Sequence, residues 1–523
     1  MTDNSAFPLR TNSRNARDKI RPITELGKIA ARAKAEGLKV VLCHGVFDLL
    51  HMGHVRHLEA ARREGSLLIV TVTADKCVNK GPDRPVFTEQ LRSEMLASLE
   101  YVDWVGINEE PSAVSVLKVV KPDIYVKGSD YKSSEVDITG KIISESKVVE
   151  DLGGKVIYTD EITFSSSTLI NQHLGVYEPT LQQYLEVLRS ENKIDELIGA
   201  VKKIQNYKIL FIGDAIIDEY QYVKPMGKSA KENMISALFK DREIFAGGVF
   251  AAANNVADFC QEVEVITALG SHDTYEELAR ETLKSNVKLF SFNRNNAPTT
   301  RKCRLIDSGY SIRKMFEIYF MDDTPLWGQD ESALLALIED RIEDADVVIV
   351  TDFGHGLLGK NAIKLLTEKA KFLAVNTQSN SANHGFNLIS KYKRADYICI
   401  DGPEAQLAVQ DKFSEVEKIM VDLLPAVIEC PKLIITQGKH GCCTYDRVSG
   451  ITQVPALTKT IVDTVGAGDA FFVLTAPLVA AGIPMDIVGL IGNAAGAMKV
   501  GIVGHRNSVE KIPLIKFLTA LLK

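Results

Sequence analysis

Apolar and polar positions along this chain alternate between helical and strand spacing. Residues 21–37 (RPITELGKIAARAKAEG) repeat their apolar positions every three to four residues, and 38–43 (LKVVLC) follow as a buried-strand run. Helical spacing resumes and continues through Ala61, and residues 67–75 (LLIVTVTAD) read as a second strand. A basic, proline-broken loop then leads into a helix from about Thr88 and a strand near 102–107. Residues 121–131 (KPDIYVKGSDY) form a strand entering a loop, and 164–172 (FSSSTLINQ) a helix start with hydroxyl residues at and near its N-cap. Such alternation predicts an α/β domain whose parallel sheet holds its ligand at the carboxyl ends of the strands. Residues 174–206 are helical and charged, as suits a connector, and a second strand-first domain opens at YKILFIGDAIIDEY. The expected organisation is a disordered leader over 1–20, a first domain over 21–174, a helical linker over 175–206 and a second α/β domain over 207–523.

Length and composition narrow the function classes. At 523 residues the chain is too long for one core. Its 46% hydrophobic and 25% charged residues are ordinary for a soluble globular protein. A net charge of −7 argues against a protein built to hold nucleic acid or an anionic membrane. No run of about 18 apolar residues occurs, and the first 20 residues lack a secretory stretch. The eight cysteines include no Cys-x-x-Cys pair, so neither a disulfide framework nor a zinc site is indicated and a cytoplasmic setting is expected.

The stretch HGVFDLLHMGH, residues 44–54, ends the first strand and opens a helix. Gly45 allows a tight turn there. The helix aims its free N–H groups and positive dipole end at whatever lies above the strand. His51 and His54, three apart, share one helical face, and both can donate to a phosphoryl group whose charge grows in the transition state. Two histidines at helical spacing are commonly plain surface or core residues; the context decides otherwise. The stretch resembles the His-x-Gly-His signature of the nucleotidyltransferase superfamily, and its flank GVFDLLHMGHVRHLEAAR the cytidylyltransferase-like branch. The resemblance implies a Rossmann-like fold, places Gly45, Phe47, Asp48 and Gly53 at the nucleotide, and gives His51 and His54 the catalytic roles.

Lys80, Arg84 and Arg92 are candidate phosphate partners, although charge runs are commonly solvated faces. DRPVFTEQLR resembles the family segment in which an arginine-proline loop precedes the helix under the nucleotide, which favours Arg84 and Arg92. The same resemblance assigns Lys127 to the triphosphate or the sugar phosphate, where an ammonium can follow moving charge. It also makes Ser166, Ser167 and Thr168 phosphate donors instead of a mere capping motif.

From residue 206 onward the sequence resembles the PfkB, or ribokinase-like, sugar kinases. DTVGAGDAFF (463–472) is its most specific part. Gly466, Ala467 and Gly468 make a small-residue turn at a helix start, whose N–H groups can approach a γ-phosphate. Asp469 follows; beside the helix N-terminus it should stay ionised and accept the proton of an attacking sugar hydroxyl. By resemblance Asp214 and Asp218 hold sugar hydroxyls, Gly247 and Gly248 are the sugar-side diglycine, and Thr436, Gly438 and Gly441 lie near the nucleotide. The strand-like runs after Asp214 and around 299–317 resemble the small β lid that pairs subunits in that family, which implies a homodimer.

Several positions depart from the pattern. The sugar-binding asparagine falls on Ala251 or Ala252, leaving Asn254 or Asn255 to supply that contact. The magnesium motif reads Asp401-Gly402-Pro403-Glu404, keeping Glu404 for Mg²⁺ through water. NTQSNS (376–381) replaces an Asp-Pro-Lys segment, and His355 stands where a lysine is common. Together the halves resemble the bifunctional heptose 7-phosphate kinase/heptose 1-phosphate adenylyltransferases with the domains in the opposite order. The resemblance implies ATP-dependent anomeric phosphorylation of a sugar phosphate with Mg²⁺. Nucleotidyl transfer from ATP or CTP then releases pyrophosphate. The alternatives are an alditol phosphate cytidylyltransferase fused to a kinase of separate specificity, and a kinase fold kept as a non-catalytic scaffold.

Overall fold

The computed structural model describes residues 15–78, 80–82, 84–128, 141–159, 177–307, 309, 312–458 and 460–523. Compact units are formed by residues 1–178 with 519–523, and by 179–518.

In the first unit, β1 (Val40–Gly45), β2 (Leu67–Thr73), β3 (Trp104–Asn108), β4 (Ile124–Gly128) and β5 (Lys155–Thr159) pair in parallel in the order β3-β2-β1-β4-β5. Successive side chains of a strand point to opposite faces, so the apolar run of β1 fills two cores. Val40 and Leu42 pack with Leu26 and Ile29 of α1 (Ile23–Ala35) and Leu117 of α4 (Val114–Val120). Val41 and Cys43 pack with Leu58 of α2 (Met52–Arg63) and Leu96 of α3 (Glu89–Ala97). The strand order reverses between β1 and β4, which opens a crevice at their carboxyl ends, beside His44 and Lys127. The expected disordered leader is corrected over its described part. Ala16–Lys19 form a 3₁₀ turn, Lys19 donates to the carbonyls of Leu99 and Val102, and Ile20 bridges to Val105.

The second unit carries a larger sheet. Its parallel strands are β6 (Lys208–Gly213), β9 (Glu262–His272), β10 (Val287–Pro298), β13 (Val347–Asp352), β14 (Leu373–Thr377), β15 (Tyr397–Asp401) and β16 (Lys432–Thr436). The antiparallel β17 (Cys442–Asp446) and β18 (Gly450–Val454) close one edge. In the order β10-β9-β6-β13-β14-β15-β16-β17-β18, the reversal falls between β6 and β13. A lid sheet, β12-β11-β7-β8, is built from β7 (Ala215–Lys228), β8 (Ile235–Gly247), β11 (Thr300–Asp307) and β12 (Arg313–Phe320). The helices Pro179–Ser190 and Ile194–Lys203, expected as a linker, belong to this unit instead. They bury Leu181, Leu185, Leu188, Leu197 and Val201, and Lys203 donates to the carbonyl of Ala481. Their amphipathic faces found a core to cover. No helix among the described residues is long and apolar enough to cross a membrane.

Candidate functional site

After β1 the chain turns at Gly45, holds Phe47 in the left-handed region (φ 52°) and enters α2 with His51 as N-cap. A Cβ on Gly45 would lie 3.1 Å from the Phe47 ring, which meets His54 edge-on at 5.3 Å, so any larger residue there would push that ring by a few tenths of an ångström. His51 accepts the Gly53 N–H through Nδ1 at 3.1 Å, which leaves the neutral ring's proton on Nε2. Among the described residues, that Nε2 is buried without a partner, as is Nδ1 of His54, and the two ring centroids lie 4.0 Å apart. Burial lowers the pKa of His51; for His54 burial, then His51, His57 and Lys80, push it down to about 3. Two imidazoles, each with one buried nitrogen unpartnered among the described residues, thus stand at the N-terminus of α2.

Lys127, at the end of β4, is buried and pairs with Glu145 at 3.2 Å. Glu145 also accepts from the Tyr125 hydroxyl and the Ala113 N–H, both at 2.9 Å. Burial alone would raise its carboxyl, but Lys127 and these bonds hold it below the usual range. His57, bonded to Thr159 Oγ1 at 2.7 Å, is pushed down to about 4 by burial and then by Lys127. Glu145 and His57 escaped the sequence reading. His57 continues the three-residue spacing of His51 and His54 and was open to detection, whereas nothing in sequence ties Glu145 to Lys127.

The expectation for Arg92 is corrected. Arg92 is 0% exposed and donates to the carbonyls of Phe87 (2.8 Å), Val46 (2.5 Å) and Thr73 (2.9 Å) and to Asp75. It braces the loops around the signature and has no free face for a phosphate. Arg84 pairs at 3.2 Å with Asp48, which also accepts from the Val86 and Phe87 N–H groups. Asp48 and Arg84 therefore tie the 84–87 loop to the signature turn. Ser166, Ser167 and Thr168 lie outside the described residues.

In the second unit, Asp214 follows β6 and accepts from the N–H groups of Phe353 (3.0 Å) and His355 (3.4 Å) just beyond β13. Burial and then Asp352 push its carboxyl up to about 6. The helix Ala467–Ala480 starts after Gly466 (φ 74°), with Asp469 buried in its first turn. Burial pushes Asp469 up to about 6 although His505, Lys302 and Lys499 pull the other way, so desolvation outweighs those charges. It is ionised at neutral pH and has the proton affinity suited to a general base. Gln378 donates to it at 3.4 Å. Lys302, on β11, is buried and within charge range of Asp214, Asp218 and Glu317, and its own pKa is lowered by burial. A charge at an inward position of a strand was the signal for Lys302; Gln378 gave none.

Asp218 is corrected as a free sugar ligand. It is buried between Arg304 and His505 Nε2 (3.2 Å), and the His505 hydrogen bond and the Arg304 charge overcome burial to hold its carboxyl well below the usual range. Gly247 lies against it: a Cβ there would meet Asp218 Oδ2 at 2.0 Å, and Gly248 takes φ 52°. Asn255 is corrected too, since its Oδ1 accepts from the Val509 N–H at 2.8 Å; Asn254 holds the Thr282 carbonyl and the Lys284 N–H. Thr436 ends β16 and Gly438 opens the turn beyond it at φ 54°. Gly441 is a turn glycine packed on the Val454 carbonyl. Asp401 and Glu404 form a capping box, and Glu404 also accepts from the Ser379 N–H at 2.9 Å. Burial and then Asp401 raise the Glu404 carboxyl.

A family model described as pfkB family carbohydrate kinase matches residues 206–512, and one described as Cytidylyltransferase-like matches 42–173. The Bifunctional protein HldE of Aliarcobacter butzleri (strain RM4018) is 41% identical over 143 residues, 27% of this chain and 30% of that protein. Its counterpart in Trichlorobacter lovleyi (strain ATCC BAA-1151 / DSM 17278 / SZ) is 37% identical over 175 residues, 33% of each. These matches fall in the N-terminal domain, and the chain spans about a third of the length of these curated relatives. The crystal structure of phosphofructokinase-2 from Escherichia coli in complex with potassium is similar over 61% of this chain and 100% of that one, with a TM-score of 0.50 and 14% identity, which speaks to the fold alone. Since the first of these models covers more than half of it, the chain belongs to the pfkB family of carbohydrate kinases, with a cytidylyltransferase-like domain ahead of the kinase domain.

Proposed function

We propose that the chain makes a nucleotide-activated sugar in two steps. The second domain phosphorylates the anomeric hydroxyl of a sugar phosphate of the heptose 7-phosphate class, using ATP. The first domain then transfers a nucleotidyl group from ATP or CTP to the new phosphate and releases pyrophosphate. The observation that carries the reading is the presence, in one chain, of two helix N-termini armed for complementary phosphate chemistry. One has a buried carboxylate behind a glycine turn, the other a pair of unsatisfied imidazoles.

In the first step Asp469 takes the hydroxyl proton as that oxygen bonds to the γ-phosphorus and the bond to ADP breaks. The N–H groups after Gly466 hold the transferring phosphoryl, and buried Lys302 suits an anionic sugar. Asp401 and Glu404 would hold Mg²⁺ through water: burial raises the Glu404 carboxyl most, and a cation would relieve the smaller part that comes from Asp401 and Asp469. Bound there, the ion would neutralise charge on the nucleotide phosphates. In the second step the sugar phosphate oxygen attacks the α-phosphorus directly, so no protein nucleophile is needed. His51, His54, Lys127 and the α2 N-terminus stabilise the developing charge. Exposed Phe316 and Phe320 on β12 and Phe239 on β8 support a homodimer through the lid sheet.

A second reading, a kinase fold kept as a non-catalytic scaffold, is favoured by the engagement of Asn254 and Asn255 elsewhere, which leaves the sugar contact unsupplied. Mass spectrometry of reactions with a panel of sugar and alditol phosphates, ATP and CTP, separates the readings. We expect a bisphosphorylated sugar followed by its ADP- or CDP-derivative. A CDP-alditol with no kinase intermediate, or sugar binding without ATP turnover, would overturn the two-step reading.

A further inference from the structure

His505 lies in the loop after the helix Met485–Lys499, and nothing in the sequence marks it as part of a site. Its side chain is only 7% exposed, and Nε2 reaches Asp218 at 3.2 Å. The ring is wedged between the two glycine turns of the kinase domain. A Cβ on Gly247 would meet its Cδ2 at 3.3 Å, and a Cβ on Gly466 would meet Cε1 at 2.7 Å and Nδ1 at 3.3 Å. Among the described residues, the buried Nδ1 has no hydrogen-bond partner. The ring thus turns its one unsatisfied polar atom toward the turn that opens the helix of Asp469.

The wedge is held from both sides. Asp463 accepts the Gly504 N–H at 2.9 Å, and the buried Lys499 donates to the Gly504 carbonyl at 2.7 Å. Arg304 shares Asp218 with the imidazole. A side chain anchored at its backbone and at one ring nitrogen loses little freedom when the other nitrogen meets a ligand, which is the preorganisation that charge stabilisation requires. A buried nitrogen left unsatisfied in the free protein needs an explanation, and an anion cradled by the Gly466 turn supplies one.

We propose that His505 is a further catalytic residue of the kinase site: as an imidazolium paired with Asp218 it keeps Nε2–H on that carboxylate, while Nδ1–H donates to an oxygen of the phosphoryl group being transferred at the Gly466 turn, and the ring holds both protons throughout. The proposal rests on the kinase reading above. No covalent bond to His505 is formed, and the attacking hydroxyl's proton still goes to Asp469. Asp218 thereby gains a role in the reaction without touching sugar, as the carboxylate that positions the ring.

Asparagine and glutamine test the two ring nitrogens separately, because the asparagine amide reaches about as far as Nδ1 and the glutamine amide about as far as Nε2. In the full chain, His505→Gln should keep the Asp218 bond and lose about 10²–10³ in kinase kcat, the usual cost of removing one transition-state donor. His505→Asn, which keeps a donor near the Nδ1 position but gives up Asp218, should lose about tenfold less kcat than His505→Gln. The sugar KM should move little in either. Calorimetric binding of ADP and of a non-hydrolysable ATP analogue gives a readout independent of turnover. His505→Gln should weaken the analogue about tenfold, about 1.4 kcal/mol, and leave ADP unchanged. Equal weakening of both nucleotides, no weakening of either, or a His505→Gln enzyme as fast as the parent would overturn the assignment. If the parent turns over no sugar while the analogue still discriminates, the kinase reading falls and the phosphate contact of His505 stands.

Discussion

Arg92 and Asp469 are both buried and both charged, and the surroundings give them opposite tasks. The guanidinium of Arg92 is consumed by three carbonyls and Asp75. Arg92→Ala would strand those acceptors, so it should destabilise the first domain by about 3 kcal/mol. A urea titration checks this, and an unchanged midpoint with a raised nucleotide KM would return Arg92 to the phosphates. Asp469 is instead raised by burial from 3.8 to about 6. Folding therefore disfavours its charged form: its contribution is most favourable below the unfolded value, and stability is lost as pH rises through about 6. Asp469→Asn removes that penalty, and at about 1.4 kcal/mol per unit the variant should be more stable than the parent by about 3 kcal/mol at pH 8. The advantage should shrink toward pH 5. In the parent, the kinase kcat/KM should fall as pH drops below about 6, because the base must be unprotonated to act. A flat profile between pH 5 and 8 would remove Asp469 as the base.

Among the elements, α2 and the paired helices of residues 179–203 carry the clearest consequences. Truncating His54 to alanine at the start of α2 removes one of the two unsatisfied imidazoles, and nucleotidyl transfer should drop by about 10²–10³. Sugar-dependent ATP consumption should be unaffected in the same protein, since Asp469 and Gly466 belong to another sheet and another core. Transfer at the parental rate would discard the signature as an active site. The 179–203 helices bury five leucine and valine side chains in the kinase unit, each worth about 1.5–3 kcal/mol when fully covered. A fragment of residues 177–523 should accordingly melt well above one of residues 207–523, read by circular dichroism. Equal melting temperatures would restore these helices to the role of a plain connector.

For the whole molecule, the decisive question is whether the two domains share an intermediate. Asp469→Asn should make no nucleotide-sugar from the starting sugar phosphate and ATP, yet should make it normally from the sugar 1-phosphate species and NTP. His54→Ala should accumulate that phosphorylated species, and mixing the two proteins should restore the product, followed by mass spectrometry. A mixture that fails while each variant keeps its own half-reaction would leave two unrelated activities on one chain. The sequence by itself determined the arrangement behind this test. Apolar runs such as 38–43 and 67–75 can be satisfied only as strands covered on both faces, and the His51–His54 and Gly466–Asp469 spacings are local, set by helix geometry and by glycine's freedom at positive φ. Tertiary structure decided what local spacing cannot encode, because a charged side chain's role depends on which distant groups reach it first. Folding gave Arg92 to backbone carbonyls, Asp218 to Arg304 and His505, and Asn255 to Val509; it also brought Glu145 to Lys127 and carried His505 to the Gly466 turn. Burial, which no spacing records, raised the Asp469 carboxyl to about 6 and lowered the pKa of both imidazoles at the start of α2.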